Sequence, residues 1–140
     1  MKRKDVMLVF PDALETSVEV LCVGDGLYRL SKQPFPSATA RYGDLIRAEA
    51  IDEEHLEFQE VVEPSHLMMA THLMSRALIA TDEMKAVLEQ IMATHGFWQQ
   101  DLGGWLSIFF DADAYDPRPD IDRMCAVWNE RNTDDFLEDA

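Results

Sequence analysis

A chain of 140 residues with 27 Asp and Glu against 12 Lys and Arg carries a formal charge of −15, well beyond what solubility requires. That surplus argues against direct contact with nucleic acid or an anionic membrane, either of which would repel the chain, and points to a basic macromolecule as partner. At 47% hydrophobic residues the chain can build a core and is too apolar for a disordered acidic tail.

The basic start Met1-Lys2-Arg3-Lys4 is followed by Asp5 and by an apolar run of only Val6 to Phe10, too short for an export signal. No run approaches a membrane span. The expectation is a cytoplasmic protein with Cys22 and Cys125 reduced, a disulfide between them remaining open. The acid is spread along the chain, with 13 acids against 7 bases in residues 1–70 and 14 against 5 in residues 71–140.

Residues 1–64 read as short strands. Val6 to Phe10 ends at Pro11-Asp12. Ser17 to Val23 alternates, with Val18, Val20 and Cys22 on one face. Gly24-Asp25-Gly26 has turn chemistry, and Leu27 to Leu30 is the return strand. Gln33-Pro34-Phe35-Pro36 imposes an irregular connection. Leu45 to Ile51 and Leu56 to Val62 follow, separated by the polar turn Asp52-Glu53-Glu54. Short strands joined by Gly, Pro and Asp predict a small curled β-sheet or SH3-like barrel.

Pro64-Ser65 marks a change of character. His66 to Ile79 alternates as a strand would (Leu67, Met69, Thr71, Leu73), helical spacing (Leu67, Thr71, Met74, Leu78) fits almost as well, and the strand is preferred. Thr81 caps a helix running to His95, with Asp82 and Glu83 at its positive end and Met84, Val87, Leu88, Ile91 and Met92 as a buried stripe. Gly96 is the expected left-handed stop. Phe97 to Asp101 and Trp105 to Phe110 form a hairpin across Leu102-Gly103-Gly104. A last helix starts near Pro119, with Ile121, Met124, Cys125 and Trp128 on its apolar side. Residues 65–131 thus predict a ferredoxin-like β-α-β-β-α unit packed on the barrel in one compact α+β domain. Residues 132–140 are an acidic tail.

The series Gly26-Leu27-Tyr28-Arg29-Leu30, Pro34-Phe35, Tyr42-Gly43-Asp44, then Phe58 and Val61-Val62-Glu63, resembles an uncharacterised family of short bacterial proteins with a DGxYRL…PF…GD pattern, a domain of unknown function. That pattern ends in a Ser-Gly-His turn, and this chain has Pro64-Ser65-His66 in its place. The resemblance covers roughly residues 14–66. It implies a small bacterial, cytoplasmic α+β protein and brings no activity with it.

Candidate chemistry is sparse. Asp111, Asp113 and Asp122 occupy positions one, three and twelve of a calcium-loop-like stretch, but Tyr115 stands at position five and Asp116 at position six, where such loops need glycine. His55, His66, His72 and His95 form no ligand-pair spacing. The two cysteines fall on apolar faces and read as structural thiols. The chain therefore reads as non-enzymatic, with no cofactor. In β-spacing, Trp105 and Phe109 share the face opposite Leu106, Ile108 and Phe110. If open, that face is an aromatic anchor beside Asp111, Asp113 and Asp116, an apolar patch with an acidic rim. These five residues are the expected partner contacts of an inhibitor or immunity protein that neutralises a basic target, such as a nuclease toxin or nucleic-acid-binding machine. The alternatives are an accessory or adaptor protein that homodimerises through the open sheet face, and a divalent-metal protein or enzyme.

Overall fold

Alternation of apolar and polar residues, which sets one face of a strand against the other, governs the first half of the chain. The computed structural model describes residues 2–11 and 14–131, and the chain separates into two units, residues 1–66 and 67–140. In the first unit, β1 (Arg3–Val9), β2 (Glu15–Gly24), β3 (Leu27–Leu30), β4 (Leu45–Ala50) and β5 (His55–Glu63) form an antiparallel meander. Direction alternates along a meander, so the first and fifth strands run the same way. Closure is accordingly by a parallel β1–β5 ladder, with Met7 opposite His55 and Val9 opposite Glu57. The inward members of each strand (Val6, Leu8, Val18, Val20, Leu30, Ile46, Leu56 and Phe58 among them) fill the barrel.

Cys22 is exposed, not buried as expected. It shares a face with its ladder partner, buried Tyr28, but stands where the regular β2–β3 ladder ends, the register shifting between Cys22 and Gly24.

The connection from β3 to β4 is held by buried polar groups. The Gln33 carboxamide donates to the carbonyls of Ser37 and Ala40, both at 3.4 Å, and accepts from the Tyr42 amide at 3.0 Å. Asp44 is buried, and its carboxylate accepts from the amides of Arg41 at 3.0 Å and Ser65 at 2.7 Å. Gly43 has φ +87°, and a Cβ there would lie 2.8 Å from Ser65 Oγ. Arg29 donates to the Gly43 carbonyl at 3.0 Å. The Gly-Asp pair of the sequence motif is thus a brace: glycine gives the turn and the close approach, and aspartate ties the turn to the end of the barrel chain.

The second unit is a three-stranded antiparallel sheet with helices. β6 (Met68–Leu73), α1 (Arg76–Ile79), α2 (Asp82–Ala93), β7 (Phe97–Asp101), β8 (Trp105–Phe110) and α3 (Arg118–Arg131) follow in chain order, and the sheet order is β6-β8-β7. The ambiguous stretch from His66 to Ile79 holds both elements: a strand, then a short helix capped by Ser75, whose Oγ accepts from the Ala77 amide at 3.1 Å. Thr81 caps α2, its Oγ1 accepting from Met84 N–H at 3.3 Å. Leu106, Ile108 and Phe110 of β8 pack with Met84, Leu88 and Ile91 of α2 and Ile121 and Met124 of α3. The acidic tail, residues 132–140, lies outside the described residues.

The end of α2 differs from expectation. His95, not Gly96, takes the left-handed conformation, at φ 66°, and lies beyond the last helical residue. Gly96 is required for space: a Cβ there would press on the Phe109 carbonyl and sit 2.7 Å from Ile91 Cγ2. Backbone cannot yield as a flexible side chain would, so Gly96→Ala is expected to destabilise the unit by about 2–3 kcal/mol, read as a lower urea midpoint at unchanged slope.

Candidate functional site

The five residues expected to form one contact patch do not assemble. Trp105 begins β8, paired with Asp101 at the hairpin end, and Asp111 follows the opposite end. At about 3.3 Å per residue the two are roughly 20 Å apart. Phe109 is 0% exposed, its ring centroid 6.1 Å from that of Phe97. A side chain with no accessible surface cannot anchor a partner. Ser107, on the same face, is 1% exposed, so this face of β8 is closed rather than open. The sheet face invoked for a homodimer is not available there. Trp105 itself is half-buried.

The acidic loop also resolves into separate tasks. The Asp111 carboxylate accepts from the Asp113 amide at 3.0 Å, and its carbonyl accepts from the amides of Ala114 and Tyr115. Both aspartates are exposed. Asp116 instead grips Arg118: Oδ1 accepts from its amide at 3.0 Å and from Nε at 2.9 Å, and Oδ2 from Nη2 at 2.8 Å. That guanidinium holds the Asp116 carboxyl below the usual carboxylate range and lies over the Phe110 ring, 5.1 Å from its centroid. Asp116 therefore fastens the start of α3 and is spent on that contact. Asp122 turns to His72 Nε2 at 3.2 Å. Among the described residues no group of three or more His, Cys, Asp or Glu side chains is placed to hold a metal ion.

Both cysteines are free thiols. Burial, with a smaller push from the Asp122 carboxylate, raises the Cys125 thiol above its ordinary range. It stays protonated at neutral pH, the opposite of what a nucleophile needs.

The barrel brings together a carboxylate cluster that strand reading alone does not reveal. The ladders place Glu15 of β2 opposite Val9 of β1, Val9 opposite Glu57 of β5, and Glu57 opposite Glu49 of β4. Strands lie about 4.8 Å apart, so three exposed glutamates fall in one row across four strands. The β4–β5 turn adds Asp52, Glu53 and Glu54 at the same end. Among the described residues, Glu15, Glu49, Glu53, Glu54 and Glu57 form no ion pair. Glu60, further along β5, has Arg47 at 3.5 Å. Each member is visible in the sequence, but the lateral alignment is a property of register.

His55 lies among these acids. Its Nδ1 is 2.9 Å from Asp52 Oδ1. The hydrogen bond to Asp52 is the largest influence and raises its pKa; burial opposes it, and the charges of Asp52, Glu15 and Glu54 add smaller upward pushes. A histidine whose folded pKa is raised contributes stability below its unfolded value of about 6.5, and that contribution disappears as pH rises through the folded value. The imidazole signals of His55 in an NMR titration are expected to show a midpoint above that of a free histidine. Asp52→Asn is expected to lower it, and an unchanged midpoint would contradict the assigned contact.

No helix among the described residues is long and apolar enough to cross a membrane. Neither a protein-family model nor a curated protein matches the chain. Among solved structures it is similar to a hypothetical protein from Neisseria gonorrhoeae, at 16% identity and a TM-score of 0.57, over 94% of this chain and 90% of that one. At that identity the likeness establishes a shared mixed α+β fold.

Proposed function

We propose that this chain is a non-enzymatic binding protein that neutralises a basic macromolecular partner, in the manner of an inhibitor or immunity protein acting on a nuclease toxin or a nucleic-acid-binding machine. The observation that carries the reading is the row Glu15–Glu57–Glu49 with its flanking Asp52, Glu53 and Glu54. Like charges directly opposed across a β-ladder lower stability. Glu49 opposite Glu57, with no cation paired to either among the described residues, is what a surface kept for a cationic partner looks like. Such a surface raises encounter rates and can cover a cationic nucleic-acid cleft.

In the same reading, the closed meander is SH3-like, and the second unit is ferredoxin-like without a fourth strand. The braced Gly43-Asp44 turn supports membership of the uncharacterised bacterial family that the sequence resembles, and a cytoplasmic location accords with the reduced thiols.

The test is affinity capture from the source lysate at low and high salt, followed by assay of the captured protein. Retention of a basic protein near 50 mM salt, its release at several hundred millimolar, and stoichiometric loss of its nucleic-acid binding or cleavage are expected. If no basic protein is held at low salt, the proposal fails.

A further inference from the structure

A groove of about 580 Å³ lies in the second unit between α1, α2 and β7, within the roughly 300–1,000 Å³ common for small-molecule sites. Ile79, Leu88, Met92 and Trp98 make it apolar, and Arg76 and Lys85 line it with positive charge. The apolar stripe of α2 is wider than the core needs: Leu88 is 3% exposed, whereas Met92, one turn on, is 50% exposed. Trp98 is half-buried beside them.

Two cations line this groove. In a chain with more than twice as many acids as bases, neither Arg76 nor Lys85 forms an ion pair among the described residues. Glu89 also lines the groove, one helical turn from Lys85, without pairing to it. The Arg76 guanidinium is held against Gly103, where any Cβ would lie 2.7 Å from Nη2. Gly103 takes φ +82° in the β7–β8 turn, so glycine serves both the turn and the seat of the arginine.

We propose that this groove binds a small amphiphilic monocarboxylate, its apolar body against Leu88, Met92 and Trp98 and its carboxylate on Arg76 and Lys85. A molecule this negative repels anions at long range, so an anion site must be built locally from unneutralised cations. Arginine supplies the bidentate geometry that a carboxylate takes. A cationic head would be repelled, a neutral head would leave both cations unpaired, and Glu89 disfavours a second negative charge. The site is independent of the barrel carboxylates and of the partner proposed for them.

The test is titration calorimetry of the full chain with decanoate below its micellar range, beside decanol and decyltrimethylammonium. Saturable one-to-one binding of decanoate is expected, at least tenfold tighter than decanol, with no saturable binding of the cation. Lys85→Gln and Arg76→Gln are each expected to weaken decanoate tenfold or more, and Trp98→Phe to remove most of the accompanying fluorescence change. Because Arg76 packs on the hairpin, Met92→Glu gives a second variant at an exposed helical position that sets a like charge in the groove; it too should weaken binding at least tenfold. Absence of saturable decanoate binding, equal affinity for the three probes, or unchanged affinity in Lys85→Gln and Met92→Glu overturns the proposal.

Discussion

Asp44→Ala is expected to cost the barrel about 3 kcal/mol, since each charge-assisted hydrogen bond lost from a buried group is worth about 1.5–3 kcal/mol. The side chain is only 4% exposed, and its two oxygens serve different segments, the Arg41 amide at one end of the turn and the Ser65 amide beyond β5. Removing the carboxylate leaves two donors without their acceptor in a place water reaches poorly. Asp44→Asn keeps one acceptor oxygen but turns an NH₂ group toward the other amide, so its cost is intermediate. All three tryptophans lie in the second unit, so tryptophan fluorescence is a poor probe of this change. Amide hydrogen exchange is the better measurement. The Arg41 and Ser65 amides should lose protection first, and the barrel strands should then exchange at a lowered global free energy. Full protection of both amides in the alanine variant would show that the brace is held by something else.

The same aspartate shows what the sequence discloses. Gly43-Asp44 stands out as a motif, and the strands on either side follow from alternation, because a closed barrel buries one side of every strand and solvates the other. The hairpin from Phe97 to Phe110 and the capped helix α2 are equally local: turn glycines, a threonine cap and a 3.6-residue stripe each act within a few residues. Failures arise both from local features that a single period hides and from contacts with distant chain. His66 to Ile79 carries two superimposed periods because a strand and a helix abut there, and a single window averages them. Gly96 reads in the sequence as the source of a dihedral angle, whereas it supplies room for the Phe109 carbonyl, thirteen residues on. Phe109 carries no sign in the sequence that its face of β8 is closed. Asp116 reads in the sequence as a surface acid, whereas Arg118, two residues away, holds it through three hydrogen bonds.

Charge reversal at Glu57 is expected to move stability and binding in opposite directions. Glu57 is the centre of the carboxylate row, directly opposite Glu49 and one strand removed from Glu15. A lysine there replaces a like-charge cross-strand pair by an attractive one, so Glu57→Lys should raise the unfolding midpoint slightly. The same change removes two units of negative charge from the face proposed to meet a cationic partner. Association with that partner should slow by roughly tenfold or more at low ionic strength, because steering by the summed field sets the encounter rate. At about 0.1 M salt the screening length is near 10 Å, comparable with the spacing of the row, so the difference between variant and parent should shrink steadily above that concentration. Dissociation should change little if the row acts by steering. Asp111→Lys is the matching control on the second unit, with the same change in net charge at a different place. An effect of equal size at both positions would mean that total charge alone governs the encounter. A gain in stability at Glu57 with no loss of association would mean that the barrel row is not the docking face, and that its unpaired acids have some other cause.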